Sequence, residues 1–207
     1  MRYNLPYALQ GQKIGLLGGS FDPAHEGHVN ITKEAIKQFN LDKVWWLISP
    51  GNPLKKKKPE DILDRKKRAT LLLSNPFISI TDLEFRMNTK YTYETVLEIK
   101  RLYKGVSFVW LMGADNLEKF NLWRNWKVIV SEVPIGIINR PGRNYFTRKN
   151  IMTESLKPYR LATSYSQLLA VKKPPIWCFI TAPLNHISST QVRLSENKNS
   201  VQNQLSD

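Results

Sequence analysis

Short apolar, β-branched runs recur along the chain and alternate with stretches whose apolar positions fall three and four residues apart. Residues 14–17, 44–48, 78–81, 108–112, 135–138 and 176–180 have the length and composition of strands. Several are apolar at every position, as expected of a strand covered on both faces. Between the first two, residues 29–39 put Ile31, Ala35, Ile36 and Phe39 on one helical stripe, and residues 63–74 repeat the pattern after the second strand. A third helix is predicted over 92–103, and residues 144–166 support one or two short helices. Strand and helix alternating in this way predict right-handed βαβ units and a doubly wound, mostly parallel α/β sheet with helices on both faces. The whole reads as a single domain over residues 13–194, with a leader at 1–12 and a polar, mobile tail at 195–207. In such sheets ligands bind outside the carboxyl ends of the strands, so chemistry is expected in the loops that follow Leu17, Ile48, Met112 and Ile180.

Composition changes this picture only in its electrostatics. With 31 Lys plus Arg against 17 Asp plus Glu the net charge is +14, a surplus that attracts anions. Nucleic acid, lipid and polyphosphate metabolites would all answer to it, and the run Lys55 to Lys58 reads as a solvated loop. No stretch of 18 uncharged apolar residues exists and the first residues lack the apolar region of a signal peptide, so a cytoplasmic location with no membrane partner is expected. The single Cys178 lies in an apolar run, which excludes an internal disulfide framework and predicts a buried, protonated thiol.

The loop after the first strand reads Gly18-Gly19-Ser20-Phe21-Asp22-Pro23-Ala24-His25-Glu26-Gly27-His28. Glycines without Cβ atoms let amide groups approach a phosphate, and a helix starting near His28 would add unpaired N–H groups and the positive end of its dipole. His25 and His28, three apart, can direct both imidazoles into that cradle as donors. Neither a dinucleotide-binding G-x-G-x-x-G nor a P-loop is present, which argues against a dehydrogenase or a P-loop kinase. A zinc site would find only two ligands in H-x-x-H. Later in the chain, Ser188, Ser189 or Thr190 can cap a further helix that carries Arg193 on the same face as Thr190, a second anion site.

The first segment resembles the G-G-[ST]-F-D-P-x-H-x-G-H signature of the nucleotidyltransferase superfamily, specifically the bacterial nicotinate mononucleotide adenylyltransferases. Its eight fixed positions have a chance probability on the order of 1 in 10^10 at a given place. The run Ile187 to Arg193 is similar to the I-S-[ST]-[ST]-x-x-R motif of the same superfamily. The resemblance spans roughly residues 13–194. It implies a Rossmann-like fold and transfer of AMP from ATP to nicotinate mononucleotide, with release of pyrophosphate. Gly18, Gly19, Ser20, Phe21, Ser189, Thr190 and Asp115 are then implied to bind ATP, the last through ribose hydroxyls after a G-x-D turn.

On the acceptor side the resemblance implies the helix start at Tyr91 and Thr92 for the nicotinate carboxylate, Trp123 for stacking on the pyridine ring and Arg140 for a phosphate. It also implies Asn52 and Lys55 as part of the mononucleotide site. By the same resemblance His25, His28 and Arg193 are implied to carry the catalysis, with ATP and nicotinate mononucleotide as the expected partners and Mg²⁺ carried by the ATP phosphates without a protein-held metal. Trp45, Trp46, Trp110, Trp126 and Trp177 read as packing residues. The family commonly opens almost directly with its first strand and closes with a V-P-x-x-V-x-x-Y-I helix; here residues 1–12 precede the first strand and that helix motif is not found after Arg193. The alternatives are a sister adenylyltransferase for phosphopantetheine or nicotinamide mononucleotide and, remotely, a basic nucleic-acid-binding module; nucleic acid is not expected as a partner, and a homo-oligomer is compatible with the sequence.

Overall fold

The computed structural model describes residues 5–51, 59–73, 75–139 and 150–182. Seven strands form one parallel sheet in the order β3-β2-β1-β4-β5-β7-β6. They are β1 (Lys13–Gly19), β2 (Lys43–Ile48), β3 (Ile78–Thr81), β4 (Ser107–Gly113), β5 (Ile135–Asn139), β6 (Arg160–Leu161) and β7 (Trp177–Thr181). Winding outward in both directions from β1 and β4 leaves a crevice at the carboxyl ends of these two strands, where neighbouring connections leave for opposite sides.

The helices are α1 (Glu26–Gln38), α2 (Ile62–Leu72), α3 (Leu83–Arg86), α4 (Thr92–Leu102), α5 (Ala114–Leu117), α6 (Trp126–Glu132) and α7 (Ile151–Ser155). Alternate strand residues feed two separate cores, as the period of two requires. Ile14, Leu16, Trp45, Leu47, Phe108, Trp110, Ile135 and Trp177 pack with Val96, Ile99, Ile129 and Val130 of α4 and α6 on one face. Val44, Trp46, Ile48, Val109, Leu111, Cys178 and Ile180 pack with Ile31, Ala35 and Ala69 of α1 and α2 on the other. Burial on both faces is what the uninterrupted apolar runs foretold.

Three local expectations are corrected. α1 begins at Glu26 rather than near His28, because His25 itself caps the helix. Gly18 and Gly19 are the last residues of β1 and not free loop: Gly18 pairs with Leu47 and Gly19 with Ile48. The short helix α3 and the two-residue strand β6 were not anticipated, since four and two residues are too few to show a period. Of the segment that precedes β1, Leu5 and Ala8 pack against the α4 face of the sheet. Its backbone is fastened by Tyr103, whose hydroxyl donates to the Pro6 carbonyl at 2.7 Å, and by a Gly11 N–H to Gly105 carbonyl bond of 2.7 Å. Among the described residues, no helix is long and apolar enough to cross a membrane.

Candidate active site

The turn between β1 and α1 is shaped by packing beneath it. Gly18 lies flat on the Trp110 indole: a Cβ there would stand 2.7 and 2.9 Å from ring carbons. Phe21 takes a left-handed backbone conformation, φ 47°, unusual for an aromatic residue and a mark of strain held in place by surrounding structure. That conformation tucks its ring inward, 2 % exposed, where it stacks on Trp46 at 4.8 Å and 12°. Trp46 is fixed in turn by its indole N–H, which donates to Thr32 Oγ1 on α1 at 2.8 Å. The site therefore has an aromatic floor that joins sheet, turn and helix, with the His28 ring 4.9 Å from that of Phe21.

On this floor the two histidines form a closely spaced pair, ring centroids 3.9 Å apart. The Gly27 N–H donates to His25 Nδ1 at 3.0 Å, and the His25 N–H donates to His28 Nδ1 at 3.3 Å. An Nδ1 that accepts an amide carries no proton, so the hydrogen bonds assign both rings the tautomer with N–H at Nε2. Two donors, each held at its base by backbone, are the result. This differs from the expected cradle of bare amides, because the Gly27 N–H is used on His25 Nδ1 and the His28 N–H on the His25 carbonyl at 2.8 Å. The imidazoles thus take over part of the donating role that the sequence alone gave to the helix start.

The neighbouring loops complete the crevice. After β4, Gly113 caps α5 and the Asp115 carboxylate folds back against its Cα, so a side chain at Gly113 would collide with Asp115; Asp115 itself is exposed. Tyr91 caps α4, and Glu94 Oε2 accepts the N–H groups of Lys90 at 2.9 Å and Tyr91 at 3.1 Å. Trp123 stands edge-on to Trp110, centroids 6.1 Å apart and planes at 86°, and packs on Phe120. The Arg124 guanidinium lies 4.8 Å from the centroid of the Tyr91 ring, which ties the Trp123 turn to the start of α4. Trp110 thereby touches both the turn after β1, through Gly18, and the Trp123 ring.

A residue without a recognisable signal in the sequence is Arg65 on α2, 1 % exposed, which reaches under the turn to bond the Ser20 carbonyl. Of the five tryptophans read as packing residues, Trp45, Trp46, Trp110 and Trp177 are buried and Trp126 is partly buried; Trp46 and Trp110 also shape the site. Cys178 is buried, and burial pushes its thiol up to about 11, unsuited to a nucleophile. Asn52, Lys55, Arg140, Ser188, Ser189, Thr190 and Arg193 lie outside the described residues. Among the described residues, no three His, Cys, Asp or Glu side chains converge as a metal site.

Comparison with known proteins gives consistent results. Residues 16–195 match the family described as Cytidylyltransferase-like. A probable nicotinate-nucleotide adenylyltransferase of Ruegeria pomeroyi is 44 % identical over 193 residues, covering 93 % of this chain and 91 % of the relative. A probable nicotinate-nucleotide adenylyltransferase of Roseobacter denitrificans is 46 % identical over 193 residues, with 93 % and 97 % covered. Among solved structures, the Plasmodium falciparum nicotinic acid mononucleotide adenylyltransferase complexed with NaAD shares the fold at TM-score 0.65 and 22 % identity, covering 88 % of this chain and 82 % of its own.

Proposed function

The chain belongs to the nicotinate-nucleotide adenylyltransferases within the Cytidylyltransferase-like family, and from that premise we propose how its site carries out the reaction. The enzyme transfers the AMP moiety of ATP to nicotinate mononucleotide, giving nicotinate adenine dinucleotide and pyrophosphate, a step of NAD biosynthesis that takes place in the cytoplasm. The observation that carries the mechanism is the histidine pair at the switch point of the sheet, each ring anchored through Nδ1 and presenting an Nε2 donor.

The mononucleotide phosphate attacks the α-phosphorus of ATP in line; a new P–O bond forms as the bond to the β-phosphate oxygen breaks, and the electron pair leaves with pyrophosphate. The attacking oxygen is already ionised, so no general base takes part and no covalent enzyme intermediate forms. What remains for the protein is positioning and charge stabilisation. His28 Nε2, with N–H groups of the turn, meets the α-phosphate, and His25 with Arg193 meets the departing pyrophosphate; Ser189 and Thr190 hold its oxygens. Mg²⁺ enters with ATP as the metal–nucleotide substrate, its ligands mainly phosphate oxygens.

On the acceptor side, the first N–H groups of α4, next to Tyr91 and Thr92, take the nicotinate carboxylate, because a helix start favours an anion. Trp123 stacks on the pyridine ring, and Asn52, Lys55 and Arg140 bind the rest of the mononucleotide, while Asp115 holds a ribose. Incubation of the protein with Mg²⁺, ATP and one acceptor at a time tests the reading. Nicotinate mononucleotide should yield the dinucleotide and pyrophosphate faster than nicotinamide mononucleotide, and phosphopantetheine should yield nothing. Turnover of phosphopantetheine alone would overturn the assignment.

A further inference from the structure

Arg65 is a buried cation placed where helix energetics disfavours it. It stands at the end of the first turn of α2, near the positive end of the dipole, yet 1 % of its surface is exposed. Burial lowers its pKa from the ordinary value, opposed by the charges of Asp22 and Asp61. It donates to main-chain carbonyls of three separate segments: Nη1 to Ser20 at 2.5 Å and Ser49 at 2.9 Å, and Nε to Glu60 at 2.8 Å. Ser20 begins the turn that carries the histidine pair, and Ser49 begins the loop that leaves β2. The two are joined a second time where the Ser49 N–H donates to the Gly19 carbonyl at 2.9 Å.

We propose that Arg65 is a positioning residue for adenylyl transfer: its guanidinium clamps the loop after β1 to the loop after β2 and so fixes the distance between the triphosphate turn and the acceptor's side of the crevice. A guanidinium suits the task because its planar fork spans several acceptors at once, whereas a lysine brings all its donors to one nitrogen. The proposal rests on the reading of the turn from Ser20 to His28 as the triphosphate site.

Misplacement of reacting groups by about 1 Å costs on the order of 10²-fold in rate. Arg65→Lys is expected to fold, to melt within a few degrees of the wild type, and to lose kcat per folded molecule by roughly 10-fold to 100-fold. Arg65→Ala is expected to lose more, and methylguanidinium, filling the vacated space, should restore part of its turnover without raising that of the wild type. The proposal is overturned if Arg65→Lys keeps the wild-type kcat per folded molecule, or if the loss in both variants merely tracks the folded fraction. Absence of wild-type turnover with nicotinate mononucleotide would instead strike at the underlying reading, so the two failures are distinguishable.

Discussion

At the scale of single residues, the site is built from side chains that hold other side chains. Gly18 illustrates how much a missing Cβ can decide: it admits the Trp110 ring against the end of β1, and Trp110 is 1 % exposed with no room to retreat. Gly18→Ala should therefore destabilise the fold by about 1–3 kcal/mol, the usual cost of overpacking, read as a lower denaturant midpoint at unchanged slope. A variant as stable as the wild type would show that the indole yields, contrary to this packing. That His25 and His28 would converge was legible from their spacing, three apart at a helix start. Their anchoring through Nδ1 was not, since it depends on His25 being the cap. Arg65 was invisible for a related reason: in a helix that also carries Asp64, Lys66, Lys67 and Arg68, one more cation reads as part of a solvated face.

At the scale of elements, the start of α4 rests on a small polar cluster beneath it. Glu84 of α3 is buried, accepts from the Thr95 hydroxyl at 3.3 Å, and gives its carbonyl to the Thr89 N–H at 3.0 Å; burial, against the opposing Thr95 bond, raises its carboxyl to about 7. A raised carboxyl binds its proton more tightly in the folded state, so the folded form is favoured most below the unfolded value of 4.5 and loses stability as pH climbs from there through 7. Above 7 the full penalty of about 3 kcal/mol is in force. Glu84→Gln, which cannot ionise, should match the wild type near pH 5 and out-melt it above pH 7. Equal melting curves at both ends would remove the buried carboxyl as the cause. Asp82, next to it, acts in the opposite sense. Burial raises it, yet hydrogen bonds from Arg86 and Lys66 outweigh this and hold it at about 2, so its contribution is present at neutral pH and fades as pH falls toward 2. The long, periodic α1, α2 and α4 could be read from sequence to within a few residues, whereas α3, which supplies this cluster, could not: four residues carry no period, and tertiary contacts decide their form.

At the scale of the molecule, the order of the strands does the placing. Runs apolar at every position forced a parallel sheet covered on both sides; a doubly wound parallel sheet has a switch point, and here it falls between β1 and β4, directly below the loop that carries His25 and His28. The location of the candidate site was therefore inferable before any side chain was placed. How the loops after β1 and β2 are joined was not, because it depends on contacts between segments far apart in the chain, such as Arg65 with Ser20. The most direct test of the account is the rate of pyrophosphate release from ATP and nicotinate mononucleotide by folded His28→Ala beside the wild type. Loss of one such donor should slow turnover by roughly 10²-fold to 10³-fold. A folded variant that releases pyrophosphate at a near-normal rate would contradict the histidine pair as the centre of the reaction.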